Sequence, residues 1–473
     1  MQNKNQKIRI HFIGIGGIGM SGIAELMKKI GYTVSGSDII ESENVKRLKE
    51  IGIVVSIGHH KKNISEVNAV VYSSAVKQNN SEIKEAKKNK IPIVSRADML
   101  AELMKNKKCI AIAGSHGKTT TTSLVGNILE TGKLDPTIVN GGIINSISKN
   151  NKFGKGDWMV VEADESDGSF LKLPHQISII TNLDIEHLDY YNTSKNLISA
   201  FEKFISNLPF YGVAIINEDD SNLRKIISKN DTRKIISYSN KNKNADVYIN
   251  KIIFKKEYSK FKLKFNIPIN NISGLQSYTI KALGLHNIYN STSSIIAALL
   301  AGVKNNYIKT ALNNYIGVKR RFTHLGKVNL SNIYDDYAHH PTEILATLNG
   351  AKQINKNIVV VFQPHRYSRT KILFDQFLKV LSKINRLYLL DTYSAGEKII
   401  KGFETKNIYK HLIKSNKNIF YIKEKNINQS IYKETNKDNI IIFMGAGSIS
   451  KIASNFLKSN EWYSLRYSIK DQR

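Results

Sequence analysis

The chain has 473 residues, 41% of them hydrophobic, and a formal net charge of +31. That length exceeds one core and predicts roughly two to four domains, and no apolar run is long enough to cross a membrane. A lone cysteine, Cys109, excludes an internal disulfide and fits a reducing, cytoplasmic setting.

The opening residues lead into a strand and show no signal-peptide stretch. Lysines are spread along the whole chain among Asn and Ile, as at 87–90, 240–244 and 416–419. No basic-plus-aromatic stacking motif accompanies them, so they read as a solvated surface that helps capture anions, not as a nucleic-acid site.

Residues 8–13 read as a strand running into Gly14-x-Gly16-x-x-Gly19 and a helix with Ile23, Ala24, Leu26, Met27 and Ile30 on its apolar face. A second strand over 33–37 ends in Asp38. This is a dinucleotide fingerprint: glycines let backbone approach a pyrophosphate, and an acidic residue meets a ribose hydroxyl. The spacing suits NAD and equally a UDP-sugar. Helices over 44–50, 81–88 and 96–104 alternate with strands over 54–58, 69–74 and 91–95, predicting a parallel α/β domain that ends near 107.

A second unit opens with an apolar strand over 110–113 and the loop Gly114-Ser115-His116-Gly117-Lys118-Thr119-Thr120, followed by a helix with Leu124, Val125, Ile128 and Leu129. Backbone N–H groups at such a turn cradle phosphate, with Lys118 on the outer phosphates and Thr119 on Mg²⁺. A general phosphate loop has glycine at the position of Ile112. Strands are expected near 137–139, with Gly141 and Gly142 after it, and over 158–162, 177–181 and 213–217, with a helix over 197–207. Glu162 closes one of these strands as an oxygen ligand for Mg²⁺, and the cluster 164–167 is either part of that site or a solvated loop. His187 reads on its own as structural or acid–base, because histidine is an uncommon Mg²⁺ ligand. The period drops toward two over 246–267, predicting antiparallel edge strands, and residues 284–290 are expected to cap an apolar helix over 291–302.

A third unit alternates again, with strands over 332–336, 358–363, 386–391 and 440–444 and helices over 342–350 and 371–382. Asp335 and Asp336 end one strand with Tyr337, His339 and His340 after them, and Gln363 ends the next with His365, Arg366 and Arg369 after it. Paired arginines beside a histidine suit bidentate binding of a carboxylate.

These motifs together resemble the Mur ligase family, over residues 8 to about 452. The matching stretches are 11–22, 114–121, 162–167, His286-Asn287 with Asn290, 335–343 and 362–370. The short loop with Ile112 is the form this family has. The resemblance implies an α/β fold of three domains: a Rossmann-like UDP-sugar domain over 1–107, a P-loop-type central ATPase with a mixed sheet over 108–318, and a Rossmann-like amino-acid domain over 319–473. It turns the first loop (Gly14, Gly16, Gly17, Gly19, Asp38, with Ser73 and Ser74) from NAD to a UDP-sugar. It gives ATP to residues 114–120 with Asn287, Asn290 and Arg321, and Mg²⁺ to Thr119, Glu162 and His187. Tyr337, His339, His365, Arg366 and Arg369 then match the amino-acid pocket, and Lys118 the transferring phosphate. Within the family the run 363–369 resembles the branch that adds L-alanine to UDP-N-acetylmuramate for peptidoglycan, which implies a cytoplasmic enzyme, expected as a monomer or weak homodimer. Ser448 departs from that pattern, where relatives often carry an acid, and receives no role. A ligase adding a preformed tripeptide, an NAD-linked oxidoreductase and a nucleic-acid-dependent ATPase are the competing readings.

Overall fold

The computed structural model describes residues 8–73, 75–146, 149–229, 232–414, 416–436 and 438–470. They form two compact units. One runs to Lys251 and includes Lys262–Tyr278 and Tyr289–Tyr315; the other comprises Ile252–Phe261, Thr279–Ile288 and the residues from Ile316.

The first unit starts with β1 (Arg9–Ile13), α1 (Ile18–Lys29), β2 (Thr33–Asp38), α2 (Glu43–Glu50), β3 (Val54–Ile57), β4 (Ala69–Tyr72), α3 (Ser81–Lys88), β5 (Ile93–Ser95) and α4 (Arg96–Met104). The helices start where the sequence supplies caps: Ser42, Asn80 and Ser95 accept N–H groups of the first turns of α2, α3 and α4. The five strands pair parallel in the order β3-β2-β1-β4-β5, which places a crevice at the carboxyl ends of β1 and β4, where the order reverses.

A ten-stranded sheet follows, most of it in the same unit. Its elements are β6 (Lys108–Ala113), α5 (Lys118–Thr131), β7 (Thr137–Ile144), β8 (Lys149–Lys152), β9 (Trp158–Glu162), β10 (Ile177–Ile180), α6 (Leu188–Tyr191), α7 (Ser194–Ser206), β11 (Val213–Asn217), α8 (Ser221–Lys229), β12 (Lys234–Ser239), β13 (Val247–Phe254), β14 (Ser259–Ile269), β15 (Ile272–Ile280), α9 (Leu285–Leu300) and α10 (Asn305–Asn313). The order is β15-β14-β13-β12-β11-β10-β6-β9-β7-β8, with β6 between β10 and β9, so its apolar run is buried on both faces. The strands expected over 246–267 are β13, which pairs parallel with β12, and β14; the edge strand β15 was not expected. Asn270 and Asn271 turn β14 into β15, both with positive φ (48° and 65°), as a tight two-residue hairpin needs. Met20, Met27, Met104, Met159 and Val161 belong to one buried cluster shared by the first two sheets.

The second unit carries β16 (Thr323–Val328), β17 (Ser331–Asp336), α11 (Pro341–Ala351), β18 (Ile358–Phe362), α12 (Tyr367–Ile372), α13 (Phe374–Leu381), β19 (Arg386–Leu389), α14 (Thr405–Leu412), β20 (Ile419–Tyr421), α15 (Ile427–Tyr432), β21 (Ile440–Met444) and α16 (Ile449–Lys470). Its sheet runs β16-β17-β21-β18-β19-β20, parallel except for the β16–β17 hairpin. Alternate residues of β18 enter two separate cores, Val360 and Phe362 in one and Val359 and Val361 in the other.

The structure corrects several boundaries. The strand expected near 137–139 continues through Gly141 and Gly142 to Ile144, because it pairs antiparallel with β8. Residues 285–290 are the first turns of α9 and not a cap before it. The helix over 371–382 is two helices broken at Leu373, whose φ and ψ of −110° and 20° leave the helical region. The strand β16, the elements α14, β20 and α15, and the helix α16 were not expected. Among the described residues no helix is long and apolar enough to cross a membrane.

Gly156 marks a tight point of this fold, since a Cβ there would lie 1.8 Å from the Leu134 carbonyl oxygen. Gly156→Ala is expected to cost about 2–3 kcal/mol, because backbone must move to make room. A denaturant midpoint equal to wild type would contradict this.

Candidate active site

The first glycine loop is fastened to the end of β2. Gly14 and Ile15 both donate to the Ser37 carbonyl (2.8 and 3.0 Å), and Gly16 donates to Asp38 Oδ2 (2.8 Å). α1 starts after Gly17 with no side-chain cap, so the N–H groups of its first turn, Gly19 included, lack intrahelical acceptors, the arrangement that suits an anion. The Arg96 side chain lies beside this turn, 3.3 Å from where a Cβ of Gly19 would stand. Asp38 directs one oxygen to the loop and the other to the Ile39 N–H (2.8 Å), where its spacing suggested a ribose contact. Ser73 follows β4 and donates its N–H to Ile13 (3.2 Å); Ser74 lies outside the described residues.

The second loop joins β6 to α5. Ile112 is still strand, buried between β9 and β10, so the turn begins only at Gly114. Gly117 has φ +81°, and a Cβ on it would lie 2.7 Å from Asn290 Oδ1 on α9. Ser115 and His116 brace the loop against the segment after β10. Their N–H groups donate to Asn182 O (3.1 Å) and Asn182 Oδ1 (2.9 Å), and His116 Nε2 is 2.8 Å from Asp184 Oδ2 and 3.1 Å from Glu186 Oε1. α5 begins at Lys118, which gathers the N–H groups of Lys118, Thr119 and Thr120 at a helix N-terminus.

Lys118 Nζ donates to Gly114 O (2.6 Å), Ser115 O (3.2 Å) and Glu165 Oε1 (2.9 Å). Burial disfavours its charge, but Glu165, Asp164 and Glu162 outweigh burial and hold its pKa above the ordinary lysine value. The acidic cluster is therefore not simply a solvated loop, because Glu165 is buried against Lys118. The Thr119 hydroxyl donates to Glu162 Oε1 (3.1 Å), and the Gly141 N–H to Glu162 Oε2 (2.7 Å). Two hard oxygens 3.1 Å apart are close to the spacing of adjacent ligands on an octahedral ion with bonds of about 2.1 Å, so this pair fits Mg²⁺. His187, at φ +57° ahead of α6, has Nε2 3.8 Å from Glu165 and 3.9 Å from Glu186.

In the second unit the candidate residues gather at the carboxyl ends of β17 and β18. Asp336 accepts the N–H groups of Phe322 and Ala338 (2.7 Å each), and burial pushes its carboxyl up to about 6. His340 and Glu343 form a capping box that starts α11 at Pro341. His339 Nδ1 lies 2.9 Å from the Tyr337 carbonyl, which can only accept, so Nδ1 carries the hydrogen and Nε2 the lone pair. His365 has the opposite tautomer: Arg369 Nη1 donates to its Nδ1 (3.1 Å), leaving the hydrogen on Nε2. The two rings are 5.9 Å apart, and Tyr393 stacks on His365 at 5.5 Å. Burial lowers both histidines to about 4. Arg320 and Arg321 lie 4.7 and 5.2 Å from the Tyr337 ring, and Arg321 Nη1 is 3.4 Å from Glu343. Arg366 caps α12 with φ +69°, its N–H bonded to Tyr393 O (2.8 Å). Asn287 donates its amide to Leu283 O (2.8 Å), and Ser448 accepts from the Gln363 amide (3.1 Å).

Residues 9–108 match the model of the Mur ligase family catalytic domain, 112–298 the Mur ligase middle domain, and 320–447 the Mur ligase glutamate ligase domain. The chain belongs to the Mur ligase family. The UDP-N-acetylmuramate–L-alanine ligase of Rickettsia bellii is 45% identical over 96% of this chain and 97% of its own length. The solved UDP-N-acetylmuramate-alanine ligase of Thermotoga maritima superposes with a TM-score of 0.81 at 28% identity, covering 96% of this chain and all of that one (100%). A murein peptide ligase from Psychrobacter arcticus, 23% identical with a TM-score of 0.68 over 95% of this chain and 98% of its own, shares the fold.

For a Mur ligase, motif reading missed Glu165 as the partner of Lys118, Asn182 and Asp184 as braces of the loop, and Tyr393 as the ring on His365. Each sits just past a strand end, and that position was the available signal. His286, His339 and His365 of the second unit are all lowered by burial to about 4, while the unfolded chain protonates histidine near 6.5. The unfolded state thus binds more protons between these values, so the associated stability is complete above pH 6.5 and lost as pH falls toward 4. The thermal midpoint is expected to fall from pH 7.5 to pH 5, and His286→Gln to lessen that fall. A midpoint that does not move would contradict the buried neutral state.

Proposed function

We propose that this chain joins L-alanine to the lactyl carboxylate of UDP-N-acetylmuramate, with ATP converted to ADP and phosphate, in peptidoglycan precursor synthesis. The observation that carries the reading is the full-length similarity to L-alanine ligases, in a chain whose second glycine loop, Lys118 and paired histidines suit that chemistry. The tripeptide-adding and NAD-linked readings are not favoured by relatives of that name.

A carboxylate is a poor electrophile, because its delocalised charge repels nucleophiles. Transfer of the ATP γ-phosphoryl group makes it an acyl phosphate; the alanine amine attacks the carbonyl, loses a proton, and phosphate leaves as the amide forms. Lys118 and the N-terminus of α5 stabilise charge on the transferring phosphoryl group. Thr119 and Glu162 would hold Mg²⁺, with His187 serving a second ion, and the metal would supply charge neutralisation on the phosphates. Asn287, Asn290 and Arg321 serve the nucleotide. Arg366 and Arg369 hold the alanine carboxylate so that its amine faces the carbonyl. His339, whose Nε2 bears the lone pair, accepts the amine proton, and His365 with Tyr337 shapes the pocket. The first loop takes the UDP-sugar through Gly14, Gly16, Gly17, Gly19, Asp38, Ser73 and Ser74. We place the domain boundaries near 107 and 318, and the enzyme in the bacterial cytoplasm as a monomer or weak homodimer.

The test is phosphate release with ATP, Mg²⁺ and UDP-N-acetylmuramate, comparing L-alanine, glycine, L-serine and tripeptide. L-alanine should give the highest kcat/KM; release with tripeptide alone would favour the recycling reaction. Lys118→Ala should lower kcat by about 10²-fold or more, as removal of a transition-state charge partner does. His339→Ala should lower kcat at saturating alanine, and near-normal turnover there would remove it from proton transfer.

A further inference from the structure

Beneath the first glycine loop lies a buried polar cluster to which the reaction assigns no part. Its centre is Glu82, in the first turn of α3 and 0% exposed. Oε2 accepts the Ser37 hydroxyl (2.7 Å) and lies 3.1 Å from His59 Nδ1. Oε1 accepts the Asn63 amide (2.6 Å) and the His60 N–H (3.3 Å), with His11 Nε2 at 3.6 Å. Burial would push this carboxyl up, but the nearby His11 imidazole and the hydrogen bonds from Ser37 and Asn63 outweigh it and hold it down to about 2. It is thus an ion at neutral pH.

The direction of these bonds matters. Ser37 is the last residue but one of β2, and its carbonyl is the acceptor for both Gly14 and Ile15. His59 Nδ1 lies 2.9 Å from the same Ser37 hydroxyl. The carboxylate therefore fixes the residue to which the glycine loop is fastened, while reaching β1 through His11 and the segment after β3 through His60 and Asn63. A buried ion with several donors is rigid when complete and costly when one partner is lost.

We infer that Glu82 is a positioning residue for the UDP-sugar loop, acting through Ser37 on the N–H groups of Gly14 and Ile15. This rests on the reading of that loop as the UDP-sugar site. Glu82→Gln keeps the shape, removes the charge and turns one acceptor into a donor. The loop should then hold the diphosphate less well, with nothing changed at the second loop.

The experiment is steady-state kinetics of the full chain, with calorimetric binding of UDP-N-acetylmuramate, for wild type, Glu82→Gln, Ser37→Ala and the double variant. Expected is a rise of about 10-fold in KM and Kd for the UDP-sugar in each single variant, with kcat and the KM for ATP and L-alanine within about twofold, the size of one lost charged hydrogen bond. The double variant should show no further loss, because both changes break one chain of contacts. Equal shifts for all three substrates would make Glu82 a general structural staple and overturn the inference, as would an unchanged KM for the UDP-sugar. If Glu82→Gln fails to fold, the Ser37→Ala variant decides alone by the same split. Wild type that binds no UDP-sugar would overturn the reading of the loop; wild type that binds it, with variants binding equally, overturns only the role of Glu82.

Discussion

The second glycine loop depends on a lack of space at the β6–α5 turn. Gly114 sits where a Cβ would be 2.2 Å from Thr181 Oγ1, and Gly117 where one would be 2.7 Å from Asn290 Oδ1. The turn is held between the end of β10 and α9, so its N–H groups have fixed directions before any ligand arrives. Ser115 and His116 use their own N–H groups and side chains to secure the turn to the segment at 182–186. The donors at the start of α5 are the ones left for an anion, and Lys118 completes the cradle under three carboxylates.

Much of this architecture was legible because parallel α/β proteins write short apolar strands and capped helices plainly. The helices over 81–88 and 96–104 match the expectation to the residue, and the structure shows Asn80 and Ser95 capping them. The strand over 137–144 was cut short in the reading because Gly141 and Gly142 look like a turn; only its pairing with β8 keeps them extended, and that pairing is invisible in a linear chain. Leu373 broke a helix that periodicity alone would have joined. The candidate residues were legible as motifs, yet their partners were not, because Glu165, Asn182 and Tyr393 acquire meaning only through contacts far along the chain.

The two histidines of the second unit show how hydrogen bonds divide labour between identical side chains. A carbonyl fixes the proton of His339 on Nδ1, and a guanidinium fixes that of His365 on Nε2. One ring is left as an acceptor and its neighbour as a donor, although burial keeps both neutral. Such a pair can take a proton from one atom and polarise another without either ring carrying charge beforehand.

The chain's one sulfur nucleophile bears on how such a protein meets chemical stress. Cys109 lies on β6, five positions before Gly114, fully buried, with burial pushing its thiol up to about 12. A thiol in that state supplies almost no thiolate, so thiolate-directed oxidants and alkylating agents have no foothold next to the second glycine loop. A thiol-directed inhibitor therefore gains no anchor at this position of β6.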